Sequence, residues 1–241
     1  MKRISLFVLP ACLLVAGCLN LSSWSGVKGS GNIVSEVRPV SDFDRVLLSG
    51  SGHLSISQGD QESLTIEADD NLLPLIQSRV ADRALHLGPE HGSLAPTKTI
   101  RYRLQLKNLK ELDLSGSLEA EAESIKTGRL VLRISGSGKI RVPKLETAEL
   151  DVGVSGSGDI ELGGKADRQQ ISISGSGNYR AGDCASQNTT VDVSGSGDAT
   201  VWARLTLDAH VSGSGDISYY GSPRINSHVS GSGGIHQAGD K

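Results

Sequence analysis

Aromatic residues are scarce in this chain: its 241 residues contain two Phe, two Trp and four Tyr. A folded core must therefore be built from aliphatic side chains rather than from packed rings. Long apolar stretches are also missing. The run Ile4–Val15 is the length of a signal-peptide core and falls short of the ~20 residues that a membrane-spanning helix needs. There is no phosphate-binding loop, dinucleotide fingerprint, metalloprotease motif or G-x-S-x-G elbow, so those enzyme classes have no support. Serine is abundant, but no His/Asp partner recurs with it, and abundance alone does not make a nucleophile.

The first residues read as an address. Lys2 and Arg3 precede the apolar run, which ends in Leu14-Val15-Ala16-Gly17-Cys18. Small residues before a cysteine form a bacterial lipobox, with cleavage before Cys18 and lipid on its sulfur. Multiple acyl chains on one residue anchor stably, since each buried CH₂ contributes ~0.8 kcal/mol. Leu19 is next, where an Asp would retain a Gram-negative lipoprotein in the inner membrane. An outer-membrane lipoprotein is expected if the host is Gram-negative. Removing Lys2 and Arg3 leaves 24 − 2 = 22 basic against 27 acidic residues, a balance of −5. That argues against nucleic acid and anionic headgroups as partners. Of three cysteines, Cys12 leaves with the signal and Cys18 is lipidated. Cys184 then has no disulfide partner, so the fold is not disulfide-stapled, and it is expected to be buried and inert.

A repeat organises the rest of the chain. Ser-Gly-Ser-Gly begins at Ser135, Ser155, Ser174, Ser194, Ser212 and Ser230, a broken copy begins at Ser115, and an isolated copy begins at Ser49. From Ser115 onward the spacings are 20, 20, 19, 20, 18 and 18 residues. Alternating apolar residues flank every copy. Before the motif stand Leu114, Ile134, Val154, Ile173, Val193 and Val211; after it stand Ile140, Ile160, Tyr179, Ala199 and Ile217. Alternation places every second side chain on one face of a strand, and a near-constant period marks a repeat architecture.

A hairpin with a glycine turn and a coil of a parallel β-helix both fit one repeat. The coil is preferred, because the connections after each strand pair are irregular (Pro143–Thr147, Gly163–Asp167, Gly182–Ser186) and lack regular turn signals. Stacked coils ~4.8 Å apart turn the apolar positions into internal ladders. The expected fold is all-β: a parallel β-helix (solenoid) with coils of about 18–20 residues. The expected organisation is a signal peptide over residues 1–17, a lipidated cysteine and flexible tether over 18–40, and one β-helical domain over 41–241. Gly29-Ser30-Gly31-Asn32-Ile33 reads as a degenerate repeat and a partial first coil, and Asp70-Asn71 as the cap of a short helical turn before Pro74.

Phe43-Asp44-Arg45-Val46, the run Gly50–Gly59, Glu67-Ala68-Asp69-Asp70-Asn71-Leu72-Leu73 and the Ser-Gly-Ser-Gly repeats together resemble the bacterial DUF2807 family, the "putative autotransporter adhesin head GIN domain". The resemblance runs from about Ser41 to the end. It implies a right-handed parallel β-helix in secreted or envelope proteins and carries no established catalytic residues. No long C-terminal set of amphipathic strands is present, so the lipid is expected to replace an autotransporter's barrel as anchor.

Two outward rows carry candidate chemistry. The corner after each motif holds His53, Lys139, Asp159, Asn178, Asp198, Asp216 and Gly234. Lys139 is expected to pair with Asp159. Asp198 and Asp216 are like charges on neighbouring coils, which either splay into water or hold a cation as a weak Ca²⁺ site. A pair of carboxylates also admits glycoside cleavage, although no insertion builds a cleft around these. The second row is Asp192, His210 and His228, where two imidazoles on successive coils are a candidate transition-metal pair and otherwise surface histidines. No cofactor is required. The expected function is that of a non-enzymatic, lipid-anchored envelope rod that binds protein or glycan, adhesin-like. The alternatives are a periplasmic scaffold or envelope-stress component and a polysaccharide-active enzyme.

Overall fold

Residues 26–241 are described by the structure, a computed structural model. The lipobox and Cys18 lie outside the described residues. The chain forms a parallel β-solenoid of about six turns. Its central coils are the strands Lys139–Gly156, Asp159–Gly175, Asn178–Gly195 and Asp198–Gly213. Each is broken only at the second Ser-Gly of the motif. Every pairing between successive coils is parallel and holds the motif in register, with Ser135 beside Ser155, Ser155 beside Ser174, Ser174 beside Ser194 and Ser194 beside Ser212. The hairpin alternative is therefore excluded.

The apolar rows form the expected ladders. Leu48, Leu114, Ile134, Val154, Ile173, Val193 and Val211 are buried, as are Leu54, Ala120, Ile140, Ile160, Tyr179, Ala199 and Ile217. Stacking like on like gives each aliphatic side chain apolar neighbours above and below, worth about 1.5–3 kcal/mol per fully buried residue. Polar groups also enter this interior: Ser186 and Thr189 hydrogen-bond to each other, the Tyr179 hydroxyl donates to Gln169 Oε1 at 2.8 Å, and Gln169 Nε2 donates to the Cys184 carbonyl at 3.2 Å. A buried amide is tolerated there because its oxygen and its nitrogen both find partners.

The two glycines of a motif do different work. Gly195 has φ +121°, and a Cβ on it would sit 2.4 Å from the Gly175 carbonyl oxygen. Gly197 has no positive φ, yet its Cβ would fall 2.2 Å from the Gly177 oxygen. The first glycine turns the corner in a region closed to L side chains. The second lets neighbouring backbones close on each other.

The segments expected as irregular connections are paired strand. Pro143–Thr147 lies within Lys139–Gly156, and the alternation of inward and outward residues skips only at Pro143-Lys144 and Ala148-Glu149. Each coil thus has three faces meeting at three corners. Register shifts fall at these corners, between Val142 and Leu145, Glu161 and Gly163, and Ala181 and Ala185. Bulges there absorb the variation in coil length without moving the ladders.

The isolated Ser49 copy is no outlier in space. Arg45–Gln58 pairs in parallel with Glu111–Ala122, placing Ser49 beside Ser115. The residues between them fold as an end piece. Ala84–Pro89 and Arg101–Leu106 line the outer edge of Arg45–Gln58, and the antiparallel strands Ser63–Asp69, Ile33–Arg38 and Ile76–Ala81 pack beyond these. Antiparallel pairing ends the parallel ladder and covers its edge.

Part of the expected tether belongs to this end piece. Val27–Lys28 pairs with Leu94–Ala95, and Ile33–Arg38 pairs with Ser63–Asp69. Gly29–Asn32 is not a partial coil. It is clasped by the acidic turn, with Gly31 N–H donating to Asp69 at 2.7 Å and Ser30 N–H donating to Asn71 Oδ1 at 2.8 Å. Asp70 and Asn71 are occupied by this clasp, so the short 3₁₀ turn Leu73–Leu75 has no side-chain cap and carries Pro74 as its second residue.

At the other end the last strands, Arg224–Gly231 and Ile235–Gly239, are largely exposed. Ile225 and Val229 continue the inner ladders but remain 40% and 41% exposed because no coil covers them.

Candidate functional site

The described surface is a set of outward ladders, each a column of side chains one coil apart. Opposite charges alternate along several of them. Glu146 is flanked by Lys126 at 3.3 Å and Lys165 at 3.4 Å, its register neighbours on either side, and these ammonium groups hold its carboxyl below the usual range. Exposed pairs of this kind contribute little individually, but they fix the sign order of the surface.

The corner row stacks as expected, with Lys139, Asp159, Asn178 and Asp198 in register. The expected pair between Lys139 and Asp159 does not form. Lys139 reaches Glu161 at 3.9 Å, while Asp159 accepts from Asn178 Nδ2 at 2.8 Å and faces Arg180 at 3.5 Å. Asp198 and Asp216 are both exposed at this corner. Each turns along the stack and accepts a backbone N–H from the next coil: Asp198 Oδ1 from Asp216 at 2.9 Å, and Asp216 Oδ1 from Gly234 at 2.7 Å.

His210 and His228 are register neighbours with ring centroids 6.4 Å apart. His210 directs Nε2 to Asp208 at 3.0 Å, on its own strand. Asp192 is the register neighbour of His210. Among the described residues, no group of three or more His, Cys, Asp or Glu is arranged to hold a metal ion. Cys184 is fully buried, and burial pushes its thiol up to about 12, which leaves no thiolate for chemistry at neutral pH.

A feature the sequence did not single out is an open groove of about 620 Å³ along the stack. Arg168, Asn188, Thr206 and Arg224 form one wall, successive residues being register neighbours. Gln170, Thr190, Asp208 and Asn226 form the parallel row two residues on. Guanidinium, amide, hydroxyl and carboxylate groups thus repeat at ~4.8 Å intervals, without a buried acid or an activated nucleophile among them. Such a row sets hydrogen-bond donors and acceptors at a regular spacing along the stack. The only advance signal was the polar character of the residues flanking each inward position.

No helix among the described residues is long and apolar enough to cross a membrane. The profile of the family described as "Putative auto-transporter adhesin, head GIN domain" matches residues 42–223. Solved structures with the same architecture include a "putative adhesin" from Bacteroides fragilis, 26% identical, with TM-score 0.82 over 88% of this chain and 100% of that one. A "putative lipid binding protein" from Parabacteroides distasonis is 27% identical, with TM-score 0.73 over 89% and 100%. A "putative adhesin" from Parabacteroides merdae is 25% identical, with TM-score 0.71 over 88% and 99%. A search of curated proteins finds no match. With the repeat, the stacked fold and the matched segment in agreement, this chain belongs to the DUF2807 head GIN domain family and is an adhesin-like β-solenoid.

Proposed function

We propose that this is a non-enzymatic cell-envelope protein, anchored by lipid on Cys18, that presents its solenoid to an extended protein or glycan. The observation that carries this reading is the groove between the Arg168–Arg224 and Thr190–Asn226 rows. Polar groups in register along a rigid stack match a ligand that is itself a polymer with a regular repeat. The family's adhesin description supports the same reading. The description of the Parabacteroides distasonis neighbour concerns lipid. Here the described interior is filled by side-chain ladders, so the lipid in this proposal is the one on Cys18.

The anchor is tested by metabolic labelling with a fatty acid and by fractionation. The native chain is expected to incorporate label and sediment with membranes, and Cys18→Ala to do neither. Labelling of Cys18→Ala equal to the native chain contradicts the proposed anchor.

A further inference from the structure

Six Phe, Tyr and Trp residues lie in the described part of the chain, and they divide sharply. Phe43, Tyr102 and Tyr179 are buried. Trp202, Tyr219 and Tyr220 are partly exposed and lie together near the open end. Trp202 and Tyr220 are register neighbours on successive coils. The next coil in the other direction contributes Gly182 and Asp183. A Cβ on Gly182 would lie 2.9 Å from Tyr220 Cε2 and 3.3 Å from Thr200 Cγ2, so the absence of a side chain there gives the tyrosine ring its place.

A primary ammonium already sits at this corner. Lys241 Nζ donates to the Gly182 carbonyl at 2.6 Å and to Asp183 Oδ1 at 2.6 Å. It lies 4.4 Å from the centre of the Tyr220 ring and 5.5 Å from that of Trp202. Two ring faces, a carboxylate and a carbonyl surrounding one cation form an alkylammonium cage, drawn from three coils. Lys241 arrives on the segment Ile235–Gly239, an exposed edge strand that pairs along Ile217–Tyr220. Strand and lysine together have the form of an extended peptide added to a sheet edge.

We infer that the Trp202–Tyr220–Asp183 corner is a binding site for the lysine side chain of an extended peptide, held in this structure by the chain's own Lys241. The inference rests on the binding-protein reading above only for its purpose. Failure of the site in purified protein leaves the envelope assignment standing, and failure of that assignment leaves the site standing. Lys241 competes for the cage at the high effective concentration of a tethered group, so the site opens to a free ligand when that ammonium is removed.

The test uses the full chain with Trp24→Phe, which makes Trp202 the sole tryptophan, in three forms: Lys241 retained, Lys241→Ala and Lys241→Gln. Nα-acetyl-L-lysine amide is titrated against Trp202 fluorescence, with the norleucine analogue and glucosamine as comparisons and thermal melting to confirm folding. A saturable response is expected in Lys241→Ala and Lys241→Gln, with Kd on the order of 1 mM for so small a ligand. The response should be at least about tenfold weaker with Lys241 retained and should be lost on adding Asp183→Asn. Folded Lys241 variants that do not respond would show the contact to be a clasp for the last strand and overturn the site. An equal response to the norleucine analogue would overturn the ammonium assignment, and tighter binding of glucosamine would overturn the peptide assignment.

Discussion

Asp198 Oδ1 accepts the backbone N–H of Asp216, one coil on, at 2.9 Å. Two carboxylates that their spacing alone would place in mutual repulsion are thereby each given a donor, because the corner backbone of the next coil offers an N–H there. The bond needs an acceptor oxygen and not a charge. Asp198→Ala is expected to lower stability by about 1 kcal/mol, whereas Asp198→Asn should stay within about 0.5 kcal/mol of the native chain. Denaturant midpoints of the two variants measure the difference. An alanine variant as stable as the asparagine one would remove the acceptor role.

Backbone closeness at the motif predicts an asymmetry among glycines. Gly195 combines φ +121° with a neighbour's carbonyl oxygen 2.4 Å from where a Cβ would stand. Gly128 is exposed, has no left-handed φ and has nothing within 4 Å. Gly195→Ala is expected to cost about 3 kcal/mol or more, and Gly128→Ala to be neutral or stabilising by up to about 1 kcal/mol. Thermal melting of the two single variants checks this, and a Gly195→Ala protein melting with the native chain would contradict the close stacking.

Much of this was legible from the repeat. Rows such as Val154-Ile173-Val193 declare themselves because inward positions recur at a fixed place relative to the motif, and parallel stacking is what makes identical positions neighbours. Other relationships left no local trace. Ser49 and Ser115 are 115 − 49 = 66 residues apart, and only the fold shows that the insertion between them is an end piece. Pro143-Lys144 looks like a loop because both residues point outward at a corner, where strand and turn share the same chemistry. Lys139 pairs with Glu161 instead of Asp159, since the latter is drawn to Asn178 and Arg180 on the next coil. The Trp202–Tyr220 corner depends on register between coils of different length, which bulges alone decide.

Burial governs Cys184. With the thiol pushed up to about 12, its thiolate at pH 8 amounts to about one part in ten thousand. Iodoacetamide is expected to leave the Cys184 peptide unmodified in native protein and to alkylate it fully in denaturant, read by mass spectrometry. Rapid labelling of folded protein would place the thiol at the surface.

Asp44 predicts a pH response. Burial opposes its ionisation, but Lys110 Nζ at 2.7 Å and Arg83 Nη2 at 3.0 Å outweigh that and hold the carboxyl below its ordinary 3.8. A depressed acid stabilises the fold fully above its unfolded value and loses that contribution as pH falls through the folded one. Asp44→Asn is therefore expected to cost about 1 kcal/mol at pH 7, discounted because both cations are mostly exposed. The stability curves of the two proteins should converge below pH 3.8. A penalty that does not change with pH would assign the loss to packing.

Immunolabelling of intact cells with an antibody to the folded solenoid, compared with permeabilised cells, tests most directly whether the solenoid is presented to a ligand outside the cell. The account predicts labelling of intact cells that is removed by added protease. Labelling only after permeabilisation would contradict it and assign the solenoid to a role within the periplasm.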